Sequence, residues 1–196
     1  MSTRVSVEKK VFLGVRVRAT TSLAFDDVLR RLRSLTGLAP AADFVANSQA
    51  PGTEADYARN VRHCFVGKSG FMLFFEMDHG GWIGRFGIRR KLVRWIFGNP
   101  LIAITMLRRD LSAGLFVPVE LLLMEQADGR GSVVIYVRPS SLIAIGKDAG
   151  LRAAAKALDR KVEALVARAT KPTRNRHTIR HSVAKNRAKR RQSHSA

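Results

Sequence analysis

The chain has a single cysteine, Cys64, among its 196 residues. That excludes an intramolecular disulfide and fits a reducing compartment. A lone cysteine can serve as a nucleophile, but thiolate activation needs a base or a positive site beside it. Only His63 stands next to Cys64 in sequence, and neighbouring side chains often point apart. A plain structural cysteine is the commoner case. Long apolar runs are also missing. Trp95–Leu107 is interrupted by Gly-Asn-Pro, and Leu115–Met124 contains Pro118 and Glu120. Neither reaches the ~20 residues of a membrane-spanning helix. The opening MSTRVSVEKK has no apolar secretory core. A soluble, cytoplasmic chain is the expectation. HExxH, CxxC, GxGxxG and GxxxxGK[ST] are absent, so no metal and no cofactor is expected.

Acidic residues are the other shortage. The sequence has 35 Lys and Arg against 15 Asp and Glu, a net charge of +20. From Lys171 to Ala196 there are nine basic residues and no acidic one. The first 170 residues hold the other 26 basic residues and all 15 acidic ones, so both parts are basic. Such a field attracts nucleic acid, anionic lipid or acidic proteins.

What is present is a core. With 46% apolar residues the chain is globular, and a domain near this size buries about 70% of its unfolded surface. The division is a lead over residues 1–9, one domain over 10–170, and a basic tail over 171–196. The tail has only Ile179 and Val183 as large aliphatics, a composition that predicts disorder when free.

Val11, Leu13, Val15 and Val17 alternate with Phe12, Gly14, Arg16 and Arg18, which predicts a strand. Ser22 reads as a helix N-cap, with Asp26 and Asp27 in the first turn. Phe25, Val28, Leu29, Leu32 and Leu35 follow at helical spacing, and Gly37 ends the helix. Residues 38–60 carry Pro40, Asn47, Pro51 and Gly52 and no long periodic run. They read as a loop with a short helix near Asp56. Phe71–Met77 and Leu92–Phe97 read as strands, with Trp82–Lys91 ambiguous between them. Asn99 is a good N-cap and Pro100 a good first residue for a short helix ending near Asp110. Val117–Gln126 and Ser132–Arg138 flank Asp128-Gly129, a hairpin signal. Ser140 or Ser141 can cap a short turn. Leu151, Ala155, Leu158, Val162, Leu165 and Val166 form the stripe of a last helix. The order predicts an α+β domain, with an antiparallel or mixed sheet and helices packed on one face.

Four segments resemble the bacterial and archaeal family called domain of unknown function 302. These are Asp78-His79 after an apolar strand; Gly98-Asn99-Pro100 after the next; Val117-Pro118; and Leu121–Met124 with Glu125 and Asp128-Gly129. The likeness is best over residues 71–142. The chain departs from the pattern at Ile102–Thr105 and Phe116, and the basic run Arg85–Arg94 and the tail look like additions. The resemblance implies the fold, and a homodimer, but no agreed reaction.

Asp78-His79 reads either as an acid/base or ligand pair, or as a strand-end cap beside a backbone-bonded histidine. Asn99 and Pro100 read as a helix start, whose N–H groups could hold an anion near Arg94 or Arg108. Gly80, Gly81, Gly84 and Gly87 read as a tight turn. Trp82, Arg85, Phe86, Arg89, Arg90, Lys91, Arg94 and Trp95 interleave rings and cations. That suits nucleic acid, an anionic membrane surface, or a solvated basic face over core aromatics. In the tail, Arg174, Arg176, Arg180, Lys185, Arg187, Lys189, Arg190 and Arg191 join Lys171 as polyanion contacts.

The leading expectation is a binding module without enzymatic activity, touching nucleic acid non-specifically through these cations, with no sequence-reading motif. The alternatives are a small-ligand sensor or enzyme with a pocket at Asp78, His79 and Asn99, and a peripheral membrane protein using Trp82–Trp95. The first alternative requires the three side chains to converge. The second requires Trp82, Phe86 and Trp95 to be exposed together.

Overall fold

The computed structural model describes residues 5–172. Those residues form a six-stranded mixed sheet flanked by helices, in the spatial order β1-β6-β5-β4-β3-β2. The strands are β1 (Arg16–Thr21), β2 (Gly37–Leu38), β3 (Met72–Asp78), β4 (Leu92–Gly98), β5 (Val119–Glu125) and β6 (Ser132–Val137). Only the short β2 runs parallel to its neighbour, β3. The α+β architecture is as the sequence predicts.

Two helices cover one face of the sheet. They are α1 (Phe25–Leu35) and α7 (Ala149–Thr170), each burying the stripe its spacing sets out. Phe25, Val28, Leu29 and Leu32 meet Trp95, Phe97, Leu121, Leu123 and Tyr136 from the sheet, and Leu158, Val162, Leu165 and Val166 from α7. The pleat explains the sheet's contribution. Val93, Trp95 and Phe97 point inward while Arg94 and Ile96 point outward.

The first strand starts later than the alternation suggests. Residues 11–15 join no ladder, and β1 begins at Arg16, opposite Val137. Beyond Val137, β6 gives way at Pro139 to the short α6 (Pro139–Ile143), so earlier residues have no strand to pair with. The Val15 carbonyl accepts from Arg138 N at 2.8 Å and Val15 N donates to Ser141 Oγ at 2.9 Å, which ends the pairing. Ser22 does not cap α1. The cap position is Ala24, without a side-chain bond, while Thr21 Oγ1 accepts from Leu23 N at 3.2 Å.

Residues 38–60 are not a loop. They hold α2 (Ala41–Gln49) and α3 (Glu54–Asn60), followed by a wide turn over Val61–Phe65. Neither helix has a fully buried residue, so neither carries a strong stripe. The helix near Asp56 is α3. Thr53 and Asp56 close it with a reciprocal capping box, Asp56 N to Thr53 Oγ1 at 3.2 Å and Thr53 N to Asp56 Oδ2 at 3.1 Å. Phe44, Tyr57, Val61 and Phe65 pack with Met72 in a small second cluster. Cys64 lies exposed in the turn.

Two connections frame the ends of the sheet. At one end, β3 leads through α4 (His79–Ile83) and a 3-10 turn over Gly84–Phe86 back to β4. At the other, β4 leads through α5 (Pro100–Leu107) and a 3-10 stretch over Leu111–Phe116 to β5. Among the described residues no helix is long and apolar enough to cross a membrane.

Candidate functional site

Asp78 ends β3 and caps α4, its Oδ1 accepting from Gly81 N at 3.2 Å. His79 Nδ1 accepts from the Trp82 indole N–H at 3.1 Å, so the ring serves its neighbour rather than the backbone. Asn99 is at the other end of the sheet. Asp78 pairs with Val93 near the start of β4, whereas Asn99 follows Gly98, which pairs with Met72. Six residues of strand separate the two levels, roughly 20 Å. Asp78 and His79 therefore do not converge with Asn99, and the pocket drawn from these three residues does not form.

Asn99 and Pro100 start α5 as the sequence indicates. Asn99 Oδ1 accepts from Leu101 N at 2.8 Å, and Asn99 Nδ2 donates to the Gly70 carbonyl at 2.9 Å. Pro100 has no N–H, and the N–H groups of Ile102 and Ala103 bond the Asn99 carbonyl at 3.0 and 2.9 Å. The first turn thus has no free donor, and the anion site imagined there is absent. Arg108 pairs instead with Glu54 at 2.8 Å, and Arg94 with Glu120 at 2.6 Å.

The segment between β3 and β4 forms a projecting knuckle. Trp82 is 51% exposed, Phe86 76% and Ile88 51%. The Trp82 ring stands edge-on to His79 at 5.8 Å and to Phe86 at 6.1 Å between centroids. Gly87 turns the chain at φ 81°, a conformation other residues rarely adopt. Ile83 is the buried anchor of the segment. Arg85 and Arg89 are exposed on the same segment and have no ion pair among the described residues.

The remaining cations of the basic run are committed elsewhere. Lys91 pairs with Asp26 and lies over the Phe25 ring at 5.8 Å; the bond to Asp26 holds its ammonium above the usual lysine range. The half-buried Arg90 donates to the Glu125 carbonyl. Trp95 is fully buried, its indole N–H donating to Glu76 Oε2 at 2.9 Å. Glu76 also accepts from Arg33, and that bond raises the Arg33 pKa further. The expectation that Trp82, Phe86 and Trp95 are exposed together fails at Trp95.

Beside the knuckle, on the α1 side, a cleft of about 420 Å³ is lined by Asp26, Glu76, Asp78 and Glu125 and by Arg33, Arg89, Arg90 and Lys91. Its charges balance. Among the described residues no three His, Cys, Asp or Glu side chains cluster to hold a metal.

The same end of the sheet is where the basic tail begins. Thr21 closes β1 opposite Ser132, Ser132 lies opposite Glu125, and Met124 lies opposite Leu92. Thr21 Oγ1 donates to the Thr170 carbonyl at 2.8 Å, fixing the end of α7 there. Four strand spacings, about 19 Å, separate this exit from the knuckle. Arg174, Arg176, Arg180, Lys185, Arg187, Lys189, Arg190 and Arg191, and the expected disorder of the tail, lie outside the described residues.

A second feature went unseen in the sequence. At the opposite end of the sheet, a half-open cavity of about 160 Å³ lies between the main core and the small cluster. Phe71, Phe74, Asn99, Ala103, Met106 and Pro118 are among the residues that line it. The Val117–Pro118 peptide is cis. A Cβ on Gly98 would come within 3.1 Å of the Pro118 Cβ and 3.3 Å of Phe74, so this close approach is built for glycine. The Gly-Asn-Pro and Val-Pro segments are 18 residues apart in sequence and meet here. Their recurrence as motifs was the one signal available beforehand.

The chain is similar in fold to the crystal structure of an uncharacterized conserved DUF302 protein from Bacillus stearothermophilus, with a TM-score of 0.55 at 15% identity. The match covers 79% of this chain and 97% of that one. No curated protein matches. Residues 55–169, from α3 through α7 and including both the knuckle and the cavity-lining segments, match the family described as Domain of unknown function DUF302, and the chain belongs to that family.

Proposed function

We propose that the protein is a nucleic-acid-binding module rather than an enzyme, engaging its partner without sequence specificity through the knuckle and the basic tail. One observation carries this reading. The exposed Trp82–Phe86 pair, with Arg85 and Arg89 on the same segment and without an ion pair among the described residues, occupies the same end of the sheet as the root of the tail. Every base offers a face on which an exposed ring can stack, and adjacent guanidinium groups meet the phosphates. The tail's cations add attraction by releasing counterions. Arg89 is shared with the cleft nearby, where it is one of the four cations that balance four carboxylates, so the cleft adds no positive field of its own.

The test uses full-length protein with labelled single-stranded RNA, duplex DNA and anionic vesicles across a salt series. The reading requires binding to nucleic acid, strongest for single strands, that weakens steeply as salt rises. No binding at near-physiological salt would overturn it. Preference for vesicles would favour the peripheral-membrane reading, which rests on Trp82, Phe86 and Ile88 being exposed together. Against that reading stand the buried Trp95 and the shortness of α4, five residues long, which cannot lay an extended apolar face on lipid.

A homodimer is the second part of the proposal. The sheet face opposite α1 and α7 presents Phe75, Ile96, Leu122, Ile135 and Val137, with Phe75 and Val137 exposed. The Arg94–Glu120 pair at its centre is self-complementary under a two-fold rotation. Five strands by six residues span only about 400 Å², half of a standard partner surface. Pairing through this face alone would therefore be weak and concentration-dependent.

A further inference from the structure

The cavity at the Asn99 end of the sheet is independent of the knuckle and has no part in the reading above. We propose that it binds a small monocarboxylate with an apolar body, such as a short-chain fatty acid or an arylacetate.

Size and lining set the body of the ligand. A space of about 160 Å³ matches that of a cavity which takes up benzene and stays dry when empty. Phe71, Phe74, Met106, Leu107, Val119 and Leu158 present carbon to it. The polar side chain on the wall is Asn99, and both ends of its amide are already bonded, to Leu101 N and to the Gly70 carbonyl. A polar ligand body would leave its own groups unpaired inside, at a cost of about 1–3 kcal/mol each. The site therefore favours a six-carbon ring or chain.

The rim sets the charge. Lys161 lies three residues after the cavity-lining Leu158 on α7, a spacing that puts the two on one side of the helix. Its Nζ is 3.9 Å from where a Cβ on Gly70 would stand, and Gly70 is the residue to which Asn99 is bonded. The two placements agree. Lys161 is exposed and makes no ion pair or hydrogen bond among the described residues. An ammonium without a carboxylate partner, beside the edge of an apolar recess, complements an acid whose tail fills the recess.

The experiment measures binding of hexanoate, phenylacetate and benzene to the full-length protein by ligand-observed NMR. Two variants accompany it: Ala103→Phe, which fills the cavity from α5, and Lys161→Met, an exposed change on α7. The two carboxylates should compete with each other, and Ala103→Phe should abolish binding of all three probes. Lys161→Met should weaken both carboxylates roughly two- to five-fold, the scale of a solvent-accessible ion pair, and leave benzene unchanged. Should Ala103→Phe fail to fold, Ala103→Leu carries the same test with a smaller intrusion. Failure of all three probes to bind, or carboxylate binding that survives the filled cavity, would overturn the site. Equal effects of Lys161→Met on hexanoate and benzene would overturn the assignment of the acid.

Discussion

Phe86→Ala is the most incisive perturbation of the proposed nucleic-acid contact, because the ring has little else to do. At 76% exposure it contributes little to the core, and an exposed substitution of this kind changes stability by no more than about 0.5 kcal/mol. Its structural partner is Trp82, at 6.1 Å between centroids. An aromatic ring that stacks on a base is worth about 1–3 kcal/mol by alanine substitution, or roughly 5- to 150-fold in affinity. Arg85 and Arg89 act through a different observable. Two phosphate contacts on a single strand contribute roughly 1.4 to the slope of log K against log salt, since each is worth about 0.7. Fluorescence anisotropy of a labelled single strand at several salt concentrations reads both effects. Phe86→Ala should lower affinity by at least fivefold at every salt while leaving the slope alone. Arg85→Ala with Arg89→Ala should flatten the slope by about 1.4. If Phe86→Ala binds like the parent and the double arginine variant keeps the parental slope, the knuckle is not the interface. Any residual binding would then belong to the tail.

Three further outcomes follow from the packing. Asn99→Ala removes the α5 cap and the bond to Gly70, together about 2 kcal/mol, and thermal melts should show a drop of about 4–8 °C. Leu165→Ala opens a void at a position 1% exposed in α7 and should cost about 2–5 kcal/mol in a urea titration. Hydrogen bonds from Thr53, Ser112 and the Leu151 N–H hold the carboxyls of Asp56, Asp110 and Asp148 respectively below the usual range. A depressed folded pKa contributes stability above the unfolded value, about 3.9, and loses it as pH falls through the folded value. Melting temperature should therefore vary little on account of these groups between about pH 5 and 8 and fall below about pH 4.

The parts of the fold that were legible in the sequence are those where one face is buried at a fixed period. The stripes of α1 and α7 and the Asp128-Gly129 hairpin needed no tertiary information, and the Asn99-Pro100 helix start is purely local chemistry. What escaped was decided at a distance. Val11–Val15 alternates as well as Val17–Thr21 does, yet β6 ends at Val137 and leaves the earlier residues without a strand to pair with. The helices α2 and α3 bury nothing completely, so no stripe announces them. Trp82 and Trp95 looked alike within one run of rings and cations. The period-two frame of Val93, Trp95 and Phe97 was the available signal that Trp95 points inward. The cavity could not be read at all, since its walls come from β3, α5, the cis-proline segment and α7.

The separation of the two candidate sites has a consequence for how each is tested. The knuckle lies where β3 ends and β4 begins, the tail root lies at the same end of the sheet beside β1, and the cavity lies roughly 20 Å from the knuckle where β4 ends. Substitutions that far apart with no shared partners combine additively to within about 0.5 kcal/mol. Ala103→Phe should therefore leave nucleic-acid affinity within about twofold of the parent, and Phe86→Ala should leave hexanoate binding unchanged. A larger cross-effect would mean that filling the cavity shifts the far end of β4; should hexanoate itself then change nucleic-acid affinity, linkage requires the nucleic acid to change hexanoate affinity by the same factor. The strand itself argues against that shift. β4 is paired on both sides by β3 and β5, and three of its seven residues, Val93, Trp95 and Phe97, are locked in the core. Pairing on both sides and burial of one face oppose any shift of one end of the strand relative to the other.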